Sequence, residues 1–243
     1  MIIKEQIKSL AASFQIDEYT IFREYLQLIF LSYLYQEKEA GGIIFKGGTA
    51  LRLIFGSPRF SEDLDFSTNY DDQMITGMLK KIVGKIKSEL PDLKLLPLYQ
   101  GKEETRFRVS FKNNDFKYPL SVRLDFHRQK IISNRQISSL PTRFPVLIFP
   151  QVHHLSPAGI FKEKLAALEF RQKGRDIFDI WWLLAKGVRV EKLENKIINR
   201  LKLFPQSRLE KDLGKFLPRG QKAIIPLLQK EVILALKRGN NLV

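Results

Sequence analysis

The chain has 243 residues, 44% of them hydrophobic, and no cysteine, which predicts a globular protein and excludes disulfide bonds and thiolate metal sites. No stretch approaches the roughly 20 uninterrupted apolar residues that a membrane span needs, so we expect a soluble, cytoplasmic protein with no membrane partner. The net charge of +15 is uneven, since residues 1–129 carry 19 Lys and Arg against 17 Asp and Glu, whereas residues 130–243 carry 22 against 9. Such a basic half fits either a polyanion such as RNA or an ordinary solvated surface.

The first predicted elements are a helical lead-in and a strand. Residues 1–37 place apolar side chains at helix-like spacings. The apolar run 42–46 is suited to a buried strand. It meets the glycine pair Gly47 and Gly48, after which Thr49 is predicted to cap a helix. This segment therefore predicts a unit of strand, glycine turn and helix.

Strand and helix patterns continue through the middle of the chain. Residues 63–67 alternate polar with apolar side chains, as a strand does, and residues 71–89 form an amphipathic helical pattern. Three further extended runs lie near 93–99, 105–111 and 120–127.

The C-terminal part has a different pattern. After the start signal Ser156-Pro157, residues 157–238 indicate successive helices. Breaks are predicted near Gly174, Gly187, Pro205, Pro218 and Pro226. The predicted fold class is therefore α+β, with a mixed sheet and helices in residues 1–150 and a helical domain in residues 151–243.

Three aspartates are predicted to share one face of the sheet. Alternate residues of a strand face the same side, so Asp63 and Asp65 point together, with α-carbons about 6.5–7 Å apart. On a later strand, Asp125 shares a face with Arg123 and supplies a third carboxylate. Three hard oxygen ligands suit Mg²⁺, with Mn²⁺ as the alternative.

The glycine pair suggests a place for phosphates. Gly47 and Gly48 permit a close approach that a side chain would block, and the following helix would present N–H groups to triphosphate oxygens. Taken singly, a glycine pair is more often a plain turn, and a D-x-D pair is commonly a loop or a cap. The two motifs together favour a nucleotide-binding metal site.

Five segments of the chain form a recognisable set: KGGTALRL, RFSEDLDFS, VRLDF, KEKLAAL and RQKGRDIFDIWWLL. Together they resemble the AbiEii-type nucleotidyltransferase toxins, within the DNA polymerase β-like nucleotidyltransferase superfamily. The resemblance runs from about Lys46 to Leu184. Its most specific pattern, R-x-S-x-D-L-D, is present as Arg59, Ser61, Asp63, Leu64 and Asp65.

The resemblance implies a Mg²⁺-dependent enzyme with a nucleotidyltransferase-like mixed sheet, an NTP substrate and a cognate antitoxin protein as partner. The implied nucleotide-binding residues are Gly47, Gly48, Thr49, Ser61 and Lys164. The implied catalytic residues are Asp63, Asp65, Asp125, Lys164 and Asp176. Of these, Asp63, Asp65 and Asp125 would hold the metal, and Asp125 is the candidate base.

The downstream residues keep a second interpretation from the sequence alone. Lys164 either neutralises triphosphate charge or is an exposed helix lysine, which is the usual case. Asp176 precedes an apolar helix, so it also fits an N-cap. Arg171 and Arg175 either bind phosphate or pair with Asp176 and Asp179.

The acceptor is predicted from the resemblance and the basic half together. Related toxins modify tRNA, so a tRNA 3′ end is the leading acceptor. The alternatives are nucleotidylation of a protein or small molecule, and a catalytically inactive nucleotide- or RNA-binding regulator. Three clustered carboxylates argue against an inactive protein, because they are costly unless a cation binds them.

Overall fold

The computed structural model describes residues 2–112, 116, 118–129, 133–146, 149–189 and 195–238. The chain divides into two compact units. The sheet unit comprises Met1–Gly56 and Phe60–Leu155, and the helical unit comprises Ser57–Arg59 and Ser156–Val243. The segment Ser57–Arg59 thus belongs to the helical unit, although it lies in the first part of the sequence.

The sheet unit begins with two helices, α1 (Lys4–Phe14) and α2 (Glu18–Leu34). Helix α2 starts at Asp17, whose carboxylate accepts a hydrogen bond from the Thr20 N–H at 2.8 Å. Most of α2 is buried because apolar side chains occur on all of its sides. The predicted helical lead-in is confirmed, as two helices that part at Gln15, a residue with a φ of 54°.

Seven strands of the described residues form one mixed sheet. They are β1 (Ile43–Lys46), β2 (Leu64–Thr68), β3 (Lys94–Gln100), β4 (Glu104–Phe111), β5 (Leu120–Arg128), β6 (Arg135–Ser139) and β7 (Gln151–Leu155). Their order is β3-β4-β5-β2-β1-β7-β6. At the centre, β2 pairs antiparallel with β1 and parallel with β5. Strands β6 and β7 have no counterpart among the strands predicted from the sequence.

Helix α3 (Gly47–Leu53) follows β1 without a loop. The prediction that Thr49 caps this helix is wrong. The helix begins at Gly47, two residues before Thr49, and its N-cap position is Lys46. The Thr49 hydroxyl instead donates a hydrogen bond to the backbone carbonyl of Asp63. Helix α3 is therefore tied to the residue that immediately precedes β2.

The buried face of the central strands is aromatic. Phe45 of β1, Phe66 of β2 and Phe126 of β5 occupy one row of the sheet and are fully buried. The Phe66 ring centroid lies 5.6 Å from that of Phe45 and 4.9 Å from that of Phe126. The amphipathic helix predicted after β2 is α4 (Asp72–Ile86), which contacts α2 and β3.

The helical unit contains α5 (Pro157–Phe170), α6 (Gly174–Ala185), α7 (Asn195–Lys202), α8 (Gln206–Leu213) and α9 (Ile225–Lys237). Helix α5 starts as predicted, since the Ser156 hydroxyl accepts a hydrogen bond from the Gly159 N–H at 3.1 Å. Helix α6 packs against α5, α8 and α9. The predicted run of helices is confirmed, except that residues 190–194 lie outside the described residues.

These elements confirm the predicted α+β fold class, with a mixed sheet and its helices followed by a run of helices. Within the described ranges, every helix is too short or too polar to cross a bilayer.

Candidate active site

The charged residues of the candidate site lie in one row across four adjacent strands. The register places Lys46 of β1 beside Asp65 of β2. It then places Asp65 beside Asp125 of β5, and Asp125 beside Arg106 of β4. Paired residues on neighbouring strands face the same side. Two carboxylates therefore lie side by side between two cations, on the face opposite the phenylalanine row.

Arg123 joins the third carboxylate to this row. It lies two residues before Asp125 on β5 and so faces the same side. Its Nη2 donates to Asp63 Oδ2 at 2.7 Å, and its Nε donates to Asp125 Oδ2 at 2.9 Å. One guanidinium thus bridges Asp63 and Asp125. The sequence placed Arg123 on this face, but the bridge becomes visible only when β2 and β5 are known to be neighbours.

Asp125 is the buried member of the three carboxylates, with 5% of its surface exposed. Burial and the neighbouring charge of Asp65 raise the pKa of Asp125 to about 6, against the lowering effect of Arg123. Its Oδ1 is buried and has no hydrogen-bond partner among the described residues. The Nε of Arg106 lies 3.9 Å from this oxygen. An unpaired buried carboxylate oxygen is costly, and a bound cation would offset that cost.

The donor chemistry of this cluster suits a divalent cation. Carboxylate oxygens are the ligands that Mg²⁺ and Mn²⁺ prefer, and Asp125 Oδ1 is available as one of them. In the described part of the chain, no three Asp, Glu, His or Cys side chains already surround a common point. Arg123 holds one oxygen of Asp63 and one of Asp125. Joint coordination therefore requires these side chains to rotate and exchange their hydrogen bonds with Arg123 for bonds to the cation.

Gly47 leaves the space that Asp65 occupies. Its φ is +79°, a conformation that glycine adopts at little cost. A Cβ at this position would collide with the carboxylate of Asp65. Glycine is thus needed here both for the backbone and for the side chain beside it. Gly48 is buried in the first turn of α3.

Two further predicted nucleotide-binding residues have structural contacts in the sheet unit. The Thr49 side chain is almost fully buried, and its hydroxyl is used in the hydrogen bond to Asp63. The backbone carbonyl of Ser61 accepts a hydrogen bond from Gln27 Nε2 at 3.1 Å. Both contacts fix the segment that leads into β2.

The other two predicted catalytic residues, Lys164 and Asp176, bind each other in the helical unit. Lys164 Nζ lies 2.8 Å from Asp176 Oδ1 and 2.7 Å from Asp179 Oδ2. Arg59 donates to both oxygens of Asp179, at 2.8 and 2.9 Å. Arg171 donates to both oxygens of Asp176, at 2.9 and 3.1 Å. Three cations and two carboxylates thus form one network, which we call the helical-unit network.

The structure excludes one of the two roles considered from the sequence for Lys164, and one of the two considered for Asp176. Lys164 is not an exposed helix lysine, since only 8% of its surface is accessible. Asp176 is not an N-cap, because α6 begins at Gly174 with Lys173 in the cap position. Burial opposes the charge of each group, but the ion pairs outweigh it. They raise the pKa of Lys164 and lower the pKa of Asp176 to about 2.

Arg59 and Asp179 are functional candidates that the sequence analysis did not assign. Arg59 was visible in the family pattern, but its partner lies 120 residues further along the chain. Arg59 is 2% exposed and Asp179 is 0% exposed. Arg59 also precedes Asp63 by only four residues, so the anchored segment leads directly to the carboxylate cluster.

The fold and the site fit the class of enzyme that the sequence resembles. A mixed sheet that carries carboxylates on adjacent central strands, next to a glycine pair that ends the neighbouring strand, is the arrangement expected of a nucleotidyltransferase. No curated protein sequence matches the chain.

A family comparison then identifies the group within this class. The profile of the family described as nucleotidyl transferase AbiEii toxin, type IV TA system, matches residues 29–234. The chain belongs to the AbiEii family of nucleotidyltransferase toxins of type IV toxin–antitoxin systems. This confirms the resemblance seen in the sequence, and the family implies an antitoxin partner.

Solved structures share the fold. The chain is similar to JHP933 from Helicobacter pylori, with 21% identity and a TM-score of 0.61, over 93% of each chain. It is also similar to MenT4, a nucleotidyltransferase toxin from Mycobacterium tuberculosis, with 16% identity and a TM-score of 0.64, over 100% of this chain and 91% of that one. At these identities the likeness establishes a common fold.

Gly47→Ala is expected to reduce nucleotidyl transfer about 100-fold, because a displaced Asp65 misplaces a reacting group. Gly56→Ala is the matched control, since Gly56 has a similar φ of +75° but nothing within 4 Å of an added Cβ. Both variants carry the same kind of backbone strain. Equal activities of the two variants would show that the space beside Asp65 is unimportant.

Arg59→Met is expected to lower the free energy of unfolding by about 3–5 kcal/mol, because it leaves Asp179 with an incompletely compensated buried charge. Arg171→Met is the control, because its side chain is 50% exposed and the expected loss is about 0–1 kcal/mol. Urea unfolding followed by tryptophan fluorescence reports on this unit, since both tryptophans, Trp181 and Trp182, lie in α6. Similar losses for both variants would contradict the expectation.

Proposed function

We propose that this nucleotidyltransferase uses Mg²⁺, with Mn²⁺ as an alternative, to transfer NMP from an NTP to an RNA acceptor, in particular the 3′ end of tRNA. The observation that carries the proposal is the row of carboxylates on β2 and β5. Asp65 and Asp125 lie side by side, Asp63 is bridged to Asp125 through Arg123, and Asp125 Oδ1 is buried without a hydrogen-bond partner. Among the described residues, this is an arrangement that a divalent cation would complete.

Each carboxylate has a proposed role. Asp63, Asp65 and Asp125 hold the cation, which when bound neutralises the triphosphate and lowers the pKa of the attacking hydroxyl. Asp125 is also the proposed base. It is the carboxylate nearest to β4, since it pairs with Arg106 of that strand. Before the cation binds, Arg123 keeps Asp63 and Asp125 close to each other through its two hydrogen bonds.

The nucleotide is assigned to the β1 side of the cluster. Gly47 and Gly48 are the proposed phosphate-contacting residues, since the backbone there has no side chain to keep a ligand away. Thr49 supports this segment through its hydrogen bond to Asp63, and Ser61 through its backbone contact with Gln27.

Lys164 and Asp176 are proposed catalytic residues on the strength of the family. Lys164 is proposed to neutralise charge on the triphosphate. Asp176 is proposed to orient the ammonium group of Lys164. The helical-unit network supports this assignment, because two carboxylates raise the pKa of Lys164 and keep its ammonium charged at neutral pH.

An RNA acceptor is favoured by charge. Residues 130–243 carry 22 Lys and Arg against 9 Asp and Glu. Contacts between such a segment and phosphates release counterions, which drives binding of nucleic acid. A neutral small-molecule acceptor would gain little from this excess of charge.

The direct test incubates the protein with total RNA, Mg²⁺ and each α-labelled NTP in turn. We expect label at the size of tRNA with at least one NTP. Asp65→Asn is expected to reduce the labelling by about 10²–10³-fold, because it removes an interaction with charge that develops in the transition state. Asp92→Asn is the matched control, since Asp92 is exposed in the loop before β3, and we expect no change.

Other outcomes of this test separate the alternatives. Label on protein, or on a small molecule, with none on RNA would overturn the acceptor and leave the chemistry in place. Binding of NTP without any transfer would favour an inactive regulator. Failure to bind any NTP in the presence of Mg²⁺ or Mn²⁺ would overturn the whole proposal.

A further inference from the structure

The carboxylate-bearing face of the sheet continues past β4 to the edge strand β3. The row that contains Asp125 runs outward through Arg106 to Tyr99. The adjacent row runs from Arg123 through Arg108 to Leu96. We call the four outer residues, Leu96, Tyr99, Arg106 and Arg108, the edge platform. It is continuous with the carboxylate cluster, since both rows begin there.

The edge platform is exposed on a sheet whose other face is core. Tyr99 is 51% exposed and Leu96 is 44% exposed. Arg108 is exposed as well, whereas its neighbours Phe107 and Val109 are buried on the opposite face. An aromatic ring, a leucine and two arginines are thus presented together on a rigid surface beside the candidate site.

The two arginines differ in their contacts. Arg106 pairs with Glu104 at 2.7 Å, and its guanidinium lies 6.0 Å from the centroid of the Tyr99 ring. The Arg108 side chain has no hydrogen bond or ion pair with any residue that the structure describes. Its charge is therefore available to an external anion. Arg123, next to Arg108 in the row, is already bound to Asp63 and Asp125.

We propose that the edge platform binds the single-stranded 3′-terminal nucleotides of the RNA acceptor, with a base stacked on Tyr99 and a phosphate at Arg108. This inference rests on the proposed function, because it assumes that RNA is the acceptor. Exposed aromatic rings interleaved with arginines are what single-stranded nucleic acids require, since bases stack on rings and cations contact the backbone. A duplex keeps its bases stacked within the helix and offers no free base to Tyr99.

The order of the strands in the sheet supports the placement of the acceptor on the edge platform. In-line transfer places the attacking hydroxyl and the departing pyrophosphate on opposite sides of the α-phosphorus. The glycine pair follows β1, on one side of the Asp65–Asp125 pair, and the edge platform lies on the other side, on β4 and β3. With the nucleotide phosphates at Gly47, an acceptor on the edge platform reaches Asp125 from the opposite direction.

The test uses a 5′-labelled single-stranded RNA with a free 3′ hydroxyl, and measures its Kd by fluorescence anisotropy over a range of salt concentrations. Tyr99→Ala is expected to raise the Kd about ten-fold, which corresponds to the loss of one stacked base. Tyr99→Phe keeps the ring and is expected to bind as the unmodified protein does. Tyr99 is exposed at the sheet edge, so neither change affects the core.

Arg108→Ala is expected to weaken binding and to reduce the slope of log K against log salt by about 0.7, the value for one phosphate contact on a single strand. Lys8→Ala is the control, because Lys8 is an exposed cation on α1, outside the sheet and outside the basic half of the chain. We expect this control to change neither the Kd nor the slope.

Steady-state transfer separates this inference from the proposed function. Tyr99→Ala and Arg108→Ala are expected to raise KM for RNA about ten-fold each and to leave KM for NTP unchanged. If transfer to RNA occurs and both variants keep the KM for RNA, the inference is overturned and the proposed function stands. If RNA binding depends on both residues but no nucleotide is transferred to it, the proposed function fails and the binding surface stands.

Two further results would overturn the inference. One is failure of the unmodified protein to bind the single-stranded RNA. The other is a loss of antitoxin binding in Tyr99→Ala or Arg108→Ala with an unchanged Kd for RNA, which would identify the edge platform as a protein interface.

Discussion

The sheet unit is organised around the repulsion among Asp63, Asp65 and Asp125. Like charges repel each other, and the charges of Asp65 and Asp63 both raise the pKa of Asp125. The fold holds them together because Phe66 and Phe126, the next residues along β2 and β5, are locked in the core and fix the opposite face. Within the described residues, Arg123 offsets part of the repulsion by binding two of the three carboxylates. A divalent cation would offset more of it, and this links the fold to the proposed chemistry.

Elements of the sheet unit position this cluster. In the sheet unit, α3 holds the backbone of Asp63 through Thr49, and Gly47 leaves room for the carboxylate of Asp65. In the helical unit, Arg59 is held by Asp179, and the chain reaches Asp63 only four residues later. A precise placement of reacting groups is what in-line nucleotidyl transfer requires.

Sequence patterns predicted the strands that carry the candidate site better than the contacts between its residues. Alternation in residues 63–67 and 120–127 correctly placed Asp65 and Asp125 on one face, since the period of a strand is a local property. Asp63 lies one residue before β2, so its place on this face stays a prediction. The cap at Thr49 was wrong because the backbone turns at Gly47 itself, with a positive φ that a glycine pair permits at either position. Strands β6 and β7 have five residues each and little apolar alternation, so pairing within the sheet defines them. The bridge through Arg123 and the pair of Arg59 with Asp179 depend on tertiary contacts, which no local pattern contains.

The central claim is that Asp63, Asp65 and Asp125 form a cation site for nucleotidyl transfer. The most direct measurement is anomalous diffraction from crystals of the protein grown with Mn²⁺ and a non-hydrolysable NTP analogue. The account predicts Mn²⁺ within about 2.0–2.3 Å of oxygens of these carboxylates, with Arg123 released from at least one of them. A structure with the nucleotide bound, no Mn²⁺ at these carboxylates and the Arg123 bridge intact would contradict it.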